Sequence, residues 1–170
     1  MGKFLRSFSV RQVEQIRNTL PVLAWSMRRY LDHNPRKIVF RMDGTTHEQF
    51  GLKMEGVEWN YKNINALTSQ NLFDERGLCY GFHLRSGATH SSVGAIEMME
   101  LAFKTVSTDV RKFFVADSAY ATHAIYNCLL VNKVNFAICL GETVWASLLK
   151  KYSGKITWRS TSLKFFKTSK

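Results

Sequence analysis

The sequence predicts an α/β domain: a mixed five-stranded sheet, three strands antiparallel and two parallel, with flanking helices and an N-terminal helical segment. Three observations predict it. Two largely apolar five-residue runs, Ile38-Val39-Phe40-Arg41-Met42 and Lys112-Phe113-Phe114-Val115-Ala116, read as buried strands, and each stops at an aspartate. Extended segments at about 64–73 and 78–84 flank Asp74-Glu75-Arg76-Gly77, a turn whose glycine accepts positive φ, so this pair reads as a β-hairpin. Helical patterns at 93–106 and 120–132 then alternate with the second run and with a last extended segment, Phe136-Ala137-Ile138-Cys139-Leu140. Strands joined as a meander are antiparallel, whereas strands reached through helices run parallel by right-handed crossovers.

Taken in order, Ser9 followed by Gln12 is a capping-box pattern that opens a helix over 9–31. Val10, Val13, Ile16, Leu20, Leu23, Met27 and Leu31 form its apolar stripe, and Pro21 is expected to kink or divide it. Arg11, Arg17, Arg28 and Arg29 lie off that stripe and read as a solvated face. Asn34-Pro35 ends the helical region, and residues 47–62, without a clear period, read as loop. Ser86 to Ser92 is a polar loop leading into a helix with Ile96, Met98, Met99 and Phe103 on its core side. In the next helix Ile125, Leu129 and Leu130 are the expected core face. Residues 143–152 look helical, and 155–170 are a basic, weakly patterned tail. The domain reading is a helical segment at 1–35, a catalytic-type core at 36–145 and a basic segment at 146–170. The strand and helix order is the ribonuclease H-like arrangement, in which the fourth strand lies beside the first and parallel to it.

With 170 residues, 45% of them hydrophobic, the chain suits one domain with a real core. No apolar run approaches the roughly 20 residues that cross a bilayer, and the N-terminus lacks a signal-peptide pattern. The expectation is a cytoplasmic, nucleoid-associated protein with no membrane partner. Cys79, Cys128 and Cys139 are odd in number and form no C-x-x-C pair, which argues against a disulfide framework or a thiolate zinc site. Lys and Arg outnumber Asp and Glu 24 to 13, a net charge of +11 that suits a polyanionic partner. Neither a P-loop nor a nucleophile elbow is present.

Asp43 and Asp117 are distant in sequence, yet the predicted topology makes their strands neighbours about 4.8 Å apart. Both strands run the same way, so the two carboxylates converge at one edge of the sheet. Such a pair repels itself unless one group is protonated or a cation lies between them. Oxygen ligands favour Mg²⁺ or Mn²⁺, and a pair of such ions activates a water or a 3′-hydroxyl at a phosphodiester. Each aspartate alone has an innocent reading: Asp43 as an Asx-turn residue and Asp117 as a helix cap.

At this point a resemblance becomes specific. Met42-Asp43-Gly44-Thr45-Thr46 resembles the first acidic motif of the DDE transposases of bacterial insertion sequences. The stretch Tyr80 to Glu97 is similar to their third strand, R-x-G-x-T-H loop and following helix, and Val115-Ala116-Asp117-Ser118-Ala119-Tyr120 resembles the second acidic motif. The likeness covers about residues 36–145. It implies a Mg²⁺- or Mn²⁺-dependent cut at transposon ends and joining of the 3′-hydroxyl to target double-stranded DNA. It implies Asp43 and Asp117 as catalytic metal ligands, and it allows a homodimer in the assembled complex. The family also needs a third carboxylate well downstream of the fifth strand, and no Asp or Glu follows Glu142. Either Glu142 serves or the third ligand is absent because the chain is a fragment; the expectation is absence, with the chain by itself inactive.

Arg85 and His90, near the N-terminus of a predicted helix, are candidate DNA contacts, with ordinary capping the simpler reading of the histidine. In the tail, Lys150, Lys151, Lys155 and Arg159 interleave with aromatic residues, a pattern that suits phosphate contacts with base stacking; the favoured alternative is that in a truncated chain these aromatics are core residues without their partners. The rival readings are a nuclease of the same fold that cuts without strand transfer, and a non-catalytic DNA-binding remnant.

Overall fold

In the computed structural model, which describes residues 9–50, 54–60 and 62–141, ten elements follow in order. They are α1 (Val10–Asp32), β1 (Lys37–Glu48), β2 (Glu58–Trp59), β3 (Asn65–Phe73), β4 (Cys79–Ser86), α2 (Ala95–Thr105), β5 (Arg111–Ala116), a 3-10 turn (Ser118–Tyr120), α3 (His123–Val131) and β6 (Asn135–Ile138). β3 takes β1 along one edge and β4 with the short β2 along the other, all antiparallel. β1 then pairs with β5, and β5 with β6, both parallel. This is the ribonuclease H-like mixed sheet that the sequence predicts, with six strands in place of five. The extra strand, β2, is two residues long and pairs only Glu58 with Ala66 and Trp59 with Asn65, too short to show a period. All elements lie within residues 1–139, which form one compact unit; residues 140–170 form a second.

Strand alternation sorts the sheet into two faces. Ile38, Phe40 and Met42 of β1 are buried together with Leu72, Tyr80, Phe114 and Ala116. Against them pack Ala24 and Trp25 of α1, Met98, Met99 and Phe103 of α2, and Ile125 and Leu129 of α3. Phe40 meets Tyr80 edge-on, ring centroids 5.1 Å apart, and Phe103 at 5.4 Å. Close approach of α2 depends on Gly81, where a Cβ would lie 2.3 Å from Met98 Cγ. The hairpin turn is as expected, with Gly77 at φ 80°.

Several expectations are corrected. β1 does not stop at Asp43 but continues to Glu48, because its antiparallel partner β3 extends past the end of β5. Helix α1 runs through Pro21 undivided; the carbonyl deprived of its donor belongs to Arg17, an exposed residue. The apolar stripe of α1 is not its core face: Pro21, Ala24, Trp25 and Arg28 are buried instead. Arg28, expected on a solvated face, donates to Asp74 (2.9 Å) and Glu75 (2.6 Å) and pairs with Asp32 (2.5 Å). Glu75 also accepts the Val39 amide at 2.7 Å, so one guanidinium ties α1 to the β3–β4 turn and to β1. The expected helix at 120–132 begins later, after the 3-10 turn, and Leu130 is exposed while Cys128 takes its place in the core. The predicted helix at 143–152 and the basic tail lie outside the described residues.

Candidate functional site

The parallel register of β1 and β5 runs from Lys37 opposite Arg111 to Met42 opposite Ala116. Asp43 and Asp117 follow next, the first within β1 and the second just past the end of β5. Adjacent strands lie about 4.8 Å apart, and shared parity turns both side chains to the face away from Phe40 and Phe114. β5 ends there, and Asp117 caps the 3-10 turn by accepting the Ala119 amide on Oδ1 at 3.0 Å. Asp43 accepts the Gly44 amide on Oδ1 at 2.7 Å. A backbone amide therefore occupies one oxygen of each carboxylate; Asp117 has its expected cap role, whereas Asp43 lies within extended β1 and forms no turn. Among the described residues neither aspartate is in an ion pair. Both are exposed, and both border one cavity of about 450 Å³.

The opposite wall of the cavity is the loop between β4 and α2, with Thr45, Thr46 and Thr68 beside it. Arg85 holds that loop rather than reaching into open space: its Nη1 donates to the carbonyls of Val93 (2.7 Å), His90 (3.2 Å) and Ser91 (3.4 Å). Gln70, fully buried, adds a bond from Nε2 to the Ser91 carbonyl at 2.5 Å. His90 accepts the Ser92 amide on Nδ1 at 3.2 Å, which places the proton of the neutral ring on Nε2. That bond closes a turn within the loop and caps no helix, since α2 opens at Gly94 without a side-chain cap; the ring borders the cavity.

Beneath the carboxylates lies Tyr120, three residues after Asp117 and fully buried. Burial raises its pKa, a rise opposed by Gln70 and Arg85 and reinforced by Asp117 and Asp43, so the hydroxyl keeps its proton. Its oxygen, the Ser91 hydroxyl and the Ser69 carbonyl each lie 3.7 Å from where a Cβ on Gly44 would sit, so three oxygen atoms surround that glycine. Sequence reasoning missed Tyr120, Gln70 and Ser91 as site residues. Tyr120 was within reach, since it closes the second acidic segment; Gln70 shows only as a polar residue inside an extended run. His83, beyond the loop, is held below the ordinary histidine value by burial and by the cations Arg17 and Arg85.

The structure thus gathers Asp43, Arg85, His90 and Asp117 around one space. Glu142, Lys150, Lys151, Lys155 and Arg159 lie outside the described residues. Among the described residues no group of three or more His, Cys, Asp or Glu side chains stands close enough to hold a metal ion, so the acidic site is a pair. Cys79, Cys128 and Cys139 are free thiols, and burial raises the first two above the ordinary value. No helix among the described residues is long and apolar enough to cross a membrane.

Comparison with known proteins adds the following. The sequence profile of the family described as "Transposase DDE domain" matches residues 34–164. No curated protein matches the chain. Among solved structures it is similar to the catalytic domain of Mos1 mariner transposase, at 12% identity over 91% of this chain and 78% of that one, TM-score 0.45. The same catalytic domain solved with Raltegravir and Mn gives 13% identity over the same shares, TM-score 0.40. A chain of the simian T-cell lymphotropic virus intasome, solved with PP2A regulatory subunit B56 gamma, is 15% identical over 71% of this chain, TM-score 0.41. The present chain spans 38% of that intasome chain.

Proposed function

The chain belongs to the transposase DDE-domain family, and from that premise we propose that Asp43 and Asp117 hold a divalent cation for phosphodiester cleavage and strand transfer on double-stranded DNA. One observation carries the reading: two carboxylates without a counter-charge among the described residues stand side by side at the end of the parallel strand pair and border the same cavity. Each spends one oxygen on a backbone amide and keeps the other for a cation. All-oxygen ligands of this kind fit Mg²⁺ or Mn²⁺ better than zinc. When bound, such a cation activates a water or a 3′-hydroxyl and stabilises the leaving oxygen.

The remaining residues have roles that follow from their places. Arg85 and Gln70 fix the loop carrying Thr89, His90 and Ser91, which faces the carboxylates across the cavity and is suited to a sugar–phosphate backbone. His90 offers Nε2–H to a phosphate oxygen. Arg85 acts on the loop through Nη1, which meets three main-chain carbonyls, and it also lines the cavity. The net charge of +11 draws DNA to the surface, and Lys150, Lys151, Lys155 and Arg159 extend that footprint. Glu142 is the candidate third ligand; without one, two carboxylates bind the cation weakly, and the chain by itself is expected to turn over poorly. Transposon ends and target DNA are the expected substrates, in a homodimeric assembly.

The test is Mn²⁺ titration calorimetry and plasmid nicking with the unaltered chain, Asp43→Asn, Asp117→Asn and Glu142→Gln. Each aspartate change is expected to abolish Mn²⁺ binding while DNA affinity stays within about twofold and falls steeply with salt. Mn²⁺ binding that survives both aspartate changes overturns the metal assignment. Nicking without 3′-end joining favours the nuclease reading, and DNA binding with no Mn²⁺ affinity in the unaltered chain favours the non-catalytic one. Loss of Mn²⁺ affinity in Glu142→Gln would make that residue the third ligand.

A further inference from the structure

The strands that lead to the carboxylates at one end begin, at the other, with cations. Lys37 opens β1 and Arg111 opens β5, and the parallel register sets the two directly opposite each other. On the other side of β5, Phe113 pairs with Asn135, which brings Lys133, two residues earlier, to about the level of Arg111. Neighbouring strands lie about 4.8 Å apart, so the three cations form a row roughly 10 Å long across the sheet edge. Arg111 and Lys133 also line one cavity of about 420 Å³, together with Lys112, Thr108, Asn132 and Asn135.

The row is not balanced from within. Lys37, Arg111 and Lys133 are exposed, and among the described residues none of them is in an ion pair. Like charges facing each other across neighbouring strands are destabilising, so the fold gains nothing from it. One carboxylate, Asp109, lines the cavity, and it acts on Lys112; Asp74 and Glu75, behind β1, are held by Arg28. The backbone gives a second indication. Helix α3 ends in a Schellman motif, with the Val134 amide donating to the Leu129 carbonyl at 2.9 Å and the Lys133 amide to the Leu130 carbonyl at 3.1 Å. Lys133 thereby stands at φ 54°, a left-handed position where glycine is the usual residue, so a lysine there is a cost to the turn.

We propose that this edge is a phosphate-binding site, at which a DNA strand is held at a second place on the molecule. Six residues of β1 separate Lys37 from Asp43, so the site lies about 20 Å from the carboxylates. Arg111 can meet a phosphate with two parallel bonds, and the amides of Asn132 and Asn135 supply neutral donors to sugar and phosphate oxygens. The one apolar residue lining the cavity, Val110, is buried, which leaves nothing there to enter a lipid surface. The choice of DNA rests on the family reading, whereas the phosphate chemistry stands on the row itself.

Fluorescence anisotropy of the full chain with a duplex of about 20 base pairs, followed across a range of salt, is the test. Each cation–phosphate contact contributes about one unit to the slope of log affinity against log salt. Arg111→Gln and Lys133→Gly are each expected to lower that slope by about one, and together by about two. Arg11→Gln removes the same charge at the other end of α1, about 30 Å away along the helix, and is expected to leave the slope unchanged. Because glycine suits the left-handed turn, Lys133→Gly should keep or raise the melting temperature while DNA affinity falls. Slopes unmoved by both site changes overturn the proposal, and so does an equal loss in Arg11→Gln, which would make net charge alone the cause. Binding to phosphatidylserine vesicles that depends on Arg111 and Lys133, when duplex binding does not, would replace DNA by a membrane surface and overturn it too. Mn²⁺ affinity is expected to be the same in every variant; a loss in Arg111→Gln or Lys133→Gly would join the row to the carboxylates and end its standing as a separate site. Failure of Mn²⁺ to bind the unaltered chain, by contrast, overturns only the reading of Asp43 and Asp117.

Discussion

The two faces of the sheet are built from the same strands and meet different surroundings. On one, Ile38, Phe40, Met42, Phe114 and Ala116 lie under three helices with almost no exposure. On the other, Val39 is half-buried, Arg41, Asp43 and Asp117 are exposed, and Val115 and Phe82 stand 40% and 44% open. Parallel strands are ordinarily covered on both sides, so the second face is an unusual surface for β1 and β5. The ionisable groups follow the same division. Where Arg28 and Asp74 are buried, they occur only as partners with hydrogen bonds to spare. Among the described residues Asp43 and Asp117 have no ion-pair partner, and they occur on the open side.

The widest gap between the faces should appear on truncating their apolar residues. Phe40→Ala removes a ring packed against Tyr80 and Phe103 and is expected to cost about 3–5 kcal/mol in urea unfolding. Val115→Ala, one residue from buried Phe114 on the neighbouring strand but on the open face, should cost under about 1 kcal/mol. Equal losses would mean that something covers the open face in solution.

Next in size is the clasp on α1. Arg28→Met leaves the buried Asp74 carboxylate without its cation and is expected to cost about 3 kcal/mol or somewhat more. The same clasp should give a pH signature. Burial pushes Glu75 up, but its bonds from Arg28 and the Val39 amide outweigh burial and hold it below its ordinary value of 4.5. A carboxyl lowered on folding contributes stability that is fully present above its unfolded pKa and is lost as pH falls through the folded one. Unfolding monitored from neutral pH downward should therefore show a loss below about pH 4.5 that is smaller in Glu75→Gln. An identical acid limb in both proteins would show that Glu75 is not linked to folding.

How much of this was legible in the sequence depends on what each signal measures. Two short apolar runs, each ended by an aspartate, are a local pattern, and the topology rules convert it into neighbouring strands, so the Asp43–Asp117 pair follows from residues alone. The face that α1 buries does not follow. Periodicity shows that Val13, Ile16, Leu20, Leu23 and Met27 share a side, yet the choice of side is made by Asp74 and Glu75, more than 40 residues away, which draw Arg28 inward. The course of β1 past Asp43 was hidden for a similar reason: Gly44-Thr45-Thr46 reads as a turn, and only the long antiparallel partner β3 keeps it extended. Arg85 carried a sign without an address, because a cation near a polar loop looks alike whether it meets phosphate or the loop's own carbonyls.

The smallest expected effect sharpens the comparison most, because its sign differs between the faces. Neutralising a charge on the covered face destabilises, whereas Asp43→Asn on the open face removes a like-charge neighbour of Asp117 and keeps the oxygen that accepts the Gly44 amide. At a strand spacing in high-dielectric surroundings that repulsion is at most about 1 kcal/mol, and salt screens it further. In low salt without divalent cations, Asp43→Asn should melt at the same temperature as the unaltered chain or slightly above it. Adding Mn²⁺ should reverse the order, since a ligand that binds only the folded, two-carboxylate form raises its melting point by mass action. If Mn²⁺ raises both melting points equally, the carboxylate pair is not where the cation binds, and the open face holds two acidic side chains that serve only their neighbouring backbone amides.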